Sequence, residues 1–292
     1  MGKSRFLKYG FVAPVLVVLI ALNVFPLCYN VVLGFSNAEL SGGPWQFVGA
    51  RNYARIFSQP QYVAAIRLTA VFVFCAVTAE LLLGFALAMG LRGRFPARPV
   101  VLTILLVPMM LSPAVMGLYW HMILNGHYGV LNQVIALAHL PQPQWLTDPS
   151  LKLASILLID IWMWTPFMML IALAGLNAIP QYVYEAAAID RARPWTVFRR
   201  ITLPMCAPLL VLAVLLRTTD ALKQFDLVMA ITGANDSATQ TLSALLYQTT
   251  FRTYKVGLGA AYACVVLVVV IALASVFVRY IDHIQQRQGK QA

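Results

Sequence analysis

Charge is what this sequence has least of. Only 10 of its 292 residues are Asp or Glu, against 21 Lys and Arg, and charged residues make up 11% of the chain while apolar residues make up 61%. With a mean hydropathy of +0.77, there is more apolar surface than a soluble core of this size can enclose, which excludes a soluble protein. Cysteine is equally sparse: Cys28, Cys75, Cys206 and Cys264 lie in or beside apolar stretches, without metal-ligand spacing or a disulfide framework, and read as packing residues. The four histidines, His121, His127, His139 and His283, show no ligand spacing either, and no serine or cysteine has a readable base partner. A Gly-x-x-x-x-Gly-Lys-Ser/Thr phosphate loop is missing, so the chain is not itself a nucleotide-driven motor. The net charge of +11 does not signal nucleic acid, because the basic residues sit in short clusters beside apolar runs of about 20 residues.

Hydropathy predicts an all-α integral membrane protein with six spans, near 9–34, 62–91, 100–124, 153–175, 205–231 and 257–281. An even number puts both termini on one side. Lys3, Arg5 and Lys8, then Arg92, Arg94 and Arg98, then Arg191, Arg193, Arg199 and Arg200, then Arg279, Arg287 and Lys290 share that side, which makes 13 of the 21 basic residues. The other side holds Arg51, Arg55, Arg67, Lys152, Arg252 and Lys255, so the positive-inside rule places the termini in the cytoplasm. A signal peptide is the rival reading of residues 1–35, but the apolar run is too long and has no clear small-x-small cleavage site, so a retained anchor is simpler. The segments 35–61, with Gly42-Gly43-Pro44 and Trp45, and 125–152, with Pro141, Pro143 and Pro149, read as external connectors.

Between spans four and five lies a charged island, residues 185–204. Ile179-Pro180 ends the preceding span and starts a short helix over 181–190, in which Ala186 and Ala187 leave room for a close partner surface. Pro194 starts another turn, with Trp195, Phe198 and Ile201 along one side. On pattern alone this is equally an amphipathic helix at the membrane interface. The order is Glu185-Ala186-Ala187, three residues, Arg191, nine residues, then Ile201-Thr202-Leu203-Pro204. That frame resembles the EAA loop of ABC-importer permeases, whose usual glycine is replaced here by Arg191. Glycine would allow a left-handed backbone; arginine forces either a regular backbone or strain of about 1–3 kcal/mol.

The likeness extends along nearly the whole chain and resembles the carbohydrate-uptake, MalF-like subgroup. Phe47-Val48-Gly49-Ala50-Arg51-Asn52-Tyr53 is similar to its external segment after the first span. Trp164-Thr165-Pro166-Phe167 and Ala174 to Pro180 are similar to its approach to the EAA loop, and Phe225-Asp226-Leu227, Ile231-Thr232-Gly233 and Thr239-Gln240-Thr241-Leu242 to its segment after span five. Where the family has Gly-Gly-Pro, this chain has Ala234-Asn235-Asp236.

The resemblance implies a type I (MetI-like) permease core in one domain, 1–292, with a first span and connector at 1–61, a core at 62–281 and a cytoplasmic coupling loop at 181–204. It assigns ATPase coupling to Glu185, Ala186, Ala187, Asp190, Arg191, Ala192, Phe198, Ile201, Leu203 and Pro204; Arg191, which departs from the family's glycine, has a charge that suits an acidic rim of the ATPase instead. It further implies a bacterial inner-membrane location, a second (MalG-like) permease, two ABC ATPase copies, an external solute-binding protein and a sugar or polyol as solute. No cofactor or metal belongs to this chain; ATP and Mg sit on the ATPase subunits.

Polar residues inside the spans mark a pathway or a structural pair. Arg217, Asp220, Ala221 and Gln224 share one face of span five and read equally as a solute-binding face and as an internal ion pair. Asp160, Trp164 and Phe167 share a face of span four, where aromatic rings suit the C–H faces of a sugar as well as ordinary helix packing. Glu80 in span two reads as a protein-facing partner for another helix, Lys223 and Asp226 as groups that reach water, and Tyr119 and Trp120 as interfacial anchors. An ion-coupled secondary transporter explains the intramembrane charges but not the EAA frame. A non-transport scaffold explains the loop but not the polar faces.

Overall fold

The computed structural model describes residues 12–93 and 95–289, with side chains to residue 280. Lys3, Arg5, Lys8, Arg94 and Lys290 lie outside the described residues, as does the side chain of Arg287. The structure is almost wholly helical: α1 (Val12–Gly34), α2 (Arg51–Ser58), α3 (Pro60–Leu91), α4 (Arg98–Met110), α5 (Pro113–Ile123), α6 (Val130–Leu137), α7 (Pro149–Ala178), α8 (Gln181–Ile189), α9 (Pro194–Ala221), α10 (Asp226–Ile231), α11 (Leu242–Tyr247) and α12 (Val256–Gly289). Five of these are long and apolar enough to cross a bilayer, and the bent pair α4–α5 makes a sixth candidate.

Two spans differ from the sequence reading. Span three is not one helix: α4 and α5 meet at an angle of 97°. The cause is local. Pro113 opens α5 and holds Ser112 in extended backbone (φ −64°, ψ 130°), and Leu111, which caps α4, is extended as well (φ −91°, ψ 148°), so the two helices do not run on. Span five begins earlier and ends earlier than 205–231. Pro194 at the first helical position starts a helix that runs to Ala221, and α10 is a separate short piece. Within α9 the stretch Phe198–Thr202 widens to a π-turn, in which the Leu203 N–H bonds to the Phe198 carbonyl five residues back. Pro204, which supplies no N–H and would clash with a carbonyl in a tight turn, follows directly, so the wider turn accommodates it.

The chain divides into two compact units. The first comprises the described part of Met1–Val63 together with Leu245–Val269. Here the motif segment after α1 has a clear task. Asn52 Nδ2 donates to the carbonyls of Gly34 (3.0 Å) and Ser36 (2.8 Å), satisfying acceptors left open where α1 ends. Tyr53 packs on Phe35 with ring centroids 5.0 Å apart, and the Val48 N–H reaches the Phe35 carbonyl at 2.8 Å. Gly257 must stay small, because a Cβ there would stand 2.1 Å from the Ser36 carbonyl oxygen.

The second unit comprises Ala64–Ala244 and the described part of Val270–Ala292. Its centre is α7, whose Ile156, Ile159, Met163, Met168, Met169, Ala172 and Leu176 are all buried. Gly84 of α3 lies so close to α7 that a Cβ would meet Met168 Cβ at 2.6 Å and the Met169 nitrogen at 2.8 Å. Helices that touch through glycine in this way gain close packing where lipid offers no hydrophobic drive. Asp148 caps α7. Its carboxylate accepts from the Ser150 N–H (2.9 Å) and hydroxyl (2.7 Å), which holds it below its ordinary pKa. That cap therefore acts above the ordinary carboxylate range and is lost as pH falls through the lowered value. The loop ahead of α7 is pinned by Trp145 Nε1, which donates to Asn132 Oδ1 at 2.8 Å, and Lys152 pairs with Asp236 at 2.5 Å.

Candidate functional site

Two groups of residues stand out, both within the second unit. The first is the surface built by α8 and the start of α9. Glu185, Ala186, Ile189, Asp190 and Arg191 are exposed, while Ala187 turns inward. The turn between the helices is tied by Tyr184, whose hydroxyl lies 3.2 Å from Thr202 Oγ1 and whose ring lies 4.0 Å beneath the Arg92 guanidinium. Trp195 and Phe198 stack at 5.3 Å, and Phe198 reaches Phe85 of α3 at 6.0 Å. Between the two helices lies a groove of about 470 Å³ lined by Tyr182, Ala186, Asp190, Thr196 and Ile201, among others. Of the remaining residues assigned to coupling, Ala192 and Ile201 are half-buried, and Leu203 and Pro204 are exposed.

Arg191 keeps the conformation that glycine would take, at φ +51°. The Ala192 N–H bonds to the Ala187 carbonyl at 2.9 Å and the Arg191 N–H to the Ala188 carbonyl at 3.0 Å, which closes α8 with a Schellman pair. The alternative of a regular backbone is thus ruled out, and the arginine bears the left-handed strain of about 1–2 kcal/mol. Arg191→Gly is expected to stabilise the purified protein by up to about 1 kcal/mol once the extra freedom of glycine in the unfolded chain is subtracted, read as a higher thermal midpoint. An unchanged or lower midpoint would show that the arginine side chain compensates for its backbone.

The second group lies inside the membrane-spanning helices. Arg217 of α9 is 1% exposed and donates in three directions. Its Nε and Nη2 bond to the two carboxylate oxygens of Glu80 on α3 (2.8 and 3.0 Å), and its Nη2 also bonds to Asp160 of α7. Its Nη1 reaches Asp220 at 3.3 Å. Gln224 Nε2 donates to the other Asp160 oxygen at 2.7 Å. The guanidinium carbon sits 4.9 Å over the Trp164 ring, and Phe167 meets that ring edge-on at 6.3 Å. Helical periodicity grouped Asp160 with Trp164, and Arg217 with Asp220 and Gln224; the fold brings the two faces together and adds Glu80.

This geometry divides the candidate pathway residues. Arg217 and Asp160 are used up on each other and on Glu80, and Ala221 is buried, so none of the three presents a free surface. Asp220 has a side chain 52% exposed, and Trp164, Phe167 and Gln224 are half-buried. The helix ends beside them. At the break after Ala221 the Gln224 carbonyl accepts from the Thr241 hydroxyl at 3.0 Å, and neither glycine nor proline marks that break in the sequence. Trp120 is not the interfacial anchor expected. It packs edge-on against Trp162 at 5.5 Å with its N–H buried, whereas Tyr119 is exposed.

Residues 80–288 match the family described as the binding-protein-dependent transport system inner membrane component. The chain belongs to this family. As a permease it is 32% identical over 279 residues to the trehalose/maltose transport system permease protein MalF of Thermococcus litoralis, a match covering 95% of each chain. It is 30% identical to the trehalose transport system permease protein SugA of Mycobacterium tuberculosis, over 94% of this chain and 89% of that one. Among solved structures, a bacterial alginate ABC transporter in complex with an alginate pentasaccharide-bound periplasmic protein matches with a TM-score of 0.84 at 20% identity, covering 98% of this chain and 96% of that one. The fold is therefore that of the ABC-importer permeases, as the EAA frame implied, and the carrier and scaffold readings lose their ground.

Proposed function

We propose that this permease forms half of the pathway of an ATP-driven importer for a saccharide or polyol. The observation that carries the reading is the similarity, over 95% of the chain, to a permease whose name gives trehalose and maltose as its solutes. On this reading α8 is the coupling helix. Its exposed Glu185, Ala186 and Asp190, with Arg191 at the turn, dock on an ABC ATPase, one of two copies that carry the ATP and Mg; this chain binds neither and catalyses nothing. A second, MalG-like permease completes the pore and an external binding protein delivers the solute. The basic residues at the described ends of the spans, Arg92, Arg98, Arg193, Arg199 and Arg200 among them, support a cytoplasmic coupling surface and cytoplasmic termini. Transport then follows from two permease arrangements, each favoured by one set of partners.

Reconstituting the purified complex in vesicles with its binding protein tests this reading directly. Labelled trehalose or maltose is expected to accumulate only when ATP and binding protein are both supplied. Accumulation driven by an ion gradient without ATP would sink the proposal.

A further inference from the structure

We infer that the polar face at the end of α9 selects uncharged saccharides over anionic ones, and that Asp220 sets this preference. The inference rests on the saccharide-permease reading and sharpens its solute class. An acidic or phosphorylated sugar needs a cation with free donors. The arginine of this face is not available as one: four of its five N–H groups donate to carboxylates, and its side chain is 1% exposed. Three carboxylates, Glu80, Asp160 and Asp220, stand against that one guanidinium, so the cluster has more carboxylates than cations and no positive charge to spare. Lys223 and Asp226, both exposed just past the end of α9, cancel each other in this count.

The member of the cluster that remains open is an acceptor. Asp220 is held by Arg217 at 3.3 Å yet leaves 52% of its side chain uncovered. A carboxylate half-exposed among apolar helices is costly against lipid and is placed where water or solute reaches it. Hydroxyl groups donate to such a carboxylate; an ionised carboxylate or phosphate group on the sugar brings like charge to it and, at that position, has no proton to donate. Beside it Trp164 and Phe167 supply apolar ring surface for sugar C–H groups, with one indole face already taken by the Arg217 guanidinium.

The local field can be read without knowing the solute. In the full complex, with exposed Cys28 and Cys75 replaced by serine and buried Cys206 and Cys264 kept, a thiol is placed by Phe167→Cys and, in a second variant, by Gln224→Cys. Each is modified with a cationic trimethylammonium and an anionic sulfonate methanethiosulfonate, in nucleotide-free and ATP-bound states, and rates are normalised to a free thiol. The expected result is a preference for the cation of about tenfold or more, falling by about threefold or more on adding Asp220→Asn. Equal rates, a preference for the anion, or no modification at either position would overturn the inference. Failure of the saccharide reading shows separately, as vesicles that accumulate neither trehalose nor maltose while the thiol still prefers the cation.

Discussion

Arg217→Met is expected to cost this permease about 3–5 kcal/mol of stability, because it leaves two carboxylates buried without their cation. Glu80 and Asp160 are each 0% exposed and each bonds to the guanidinium, so removing it strands charge on both α3 and α7. The arginine also lies over Trp164, so its loss frees that ring. Thermal unfolding of the detergent-purified complex measures the effect, and adding Glu80→Gln and Asp160→Asn to the same chain is expected to recover most of it. That recovery separates stranded charge from lost packing, since neutral amides of nearly the same shape leave the cavity as it was. A single variant as stable as the wild type would mean that water solvates the cluster.

The opposite pattern is expected at the exposed surface of α8, proposed above as the coupling helix. Glu185→Lys should reduce ATP-driven uptake by about tenfold or more, equivalent to about 1.4 kcal/mol or more of lost coupling, while the thermal midpoint of the permease stays put. Glu185 is exposed on α8, and exposed substitutions of this kind usually shift stability by no more than about 0.5 kcal/mol. Reversing its charge changes what the helix presents without changing how it folds. Uptake, ATP hydrolysis and co-purification of the ATPase, measured together, distinguish lost assembly from idle hydrolysis. Normal uptake would remove α8 from the coupling role proposed for it.

What the sequence made legible follows from what it encodes locally. The short helix over 181–190 corresponds to α8 because Pro180 and the small-residue run act within one or two turns. Arg191, standing where the family has glycine, left a regular backbone or a strained turn as alternatives, and the choice between them depended on the Schellman bonds from residues 191 and 192. The break in span three was written in Pro113, although the apolar run masked it. The break after Ala221 had no such marker; Thr241 and Asp160, distant in sequence, hold it open. Periodicity likewise placed Arg217 and Asp160 on helix faces without telling whether those faces look at solute or at each other. A lone Glu80 in span two gave a charge in need of a partner, and only the fold supplied Arg217.

The uninterrupted run of α9 has a mechanical consequence. At 1.5 Å per residue, Arg217 stands roughly 35 Å along the axis from Pro194, with no loop between them to absorb movement. The widened turn at Phe198–Thr202, followed by Pro204 and Pro208, is where the regular hydrogen-bond ladder of that rod is interrupted. Pivoting there by 5° would carry Arg217 sideways by roughly 2 Å. A displacement of that size is enough to break a hydrogen bond, so the charge cluster lies at the sensitive end of a lever whose short arm is the surface formed by α8 and the start of α9.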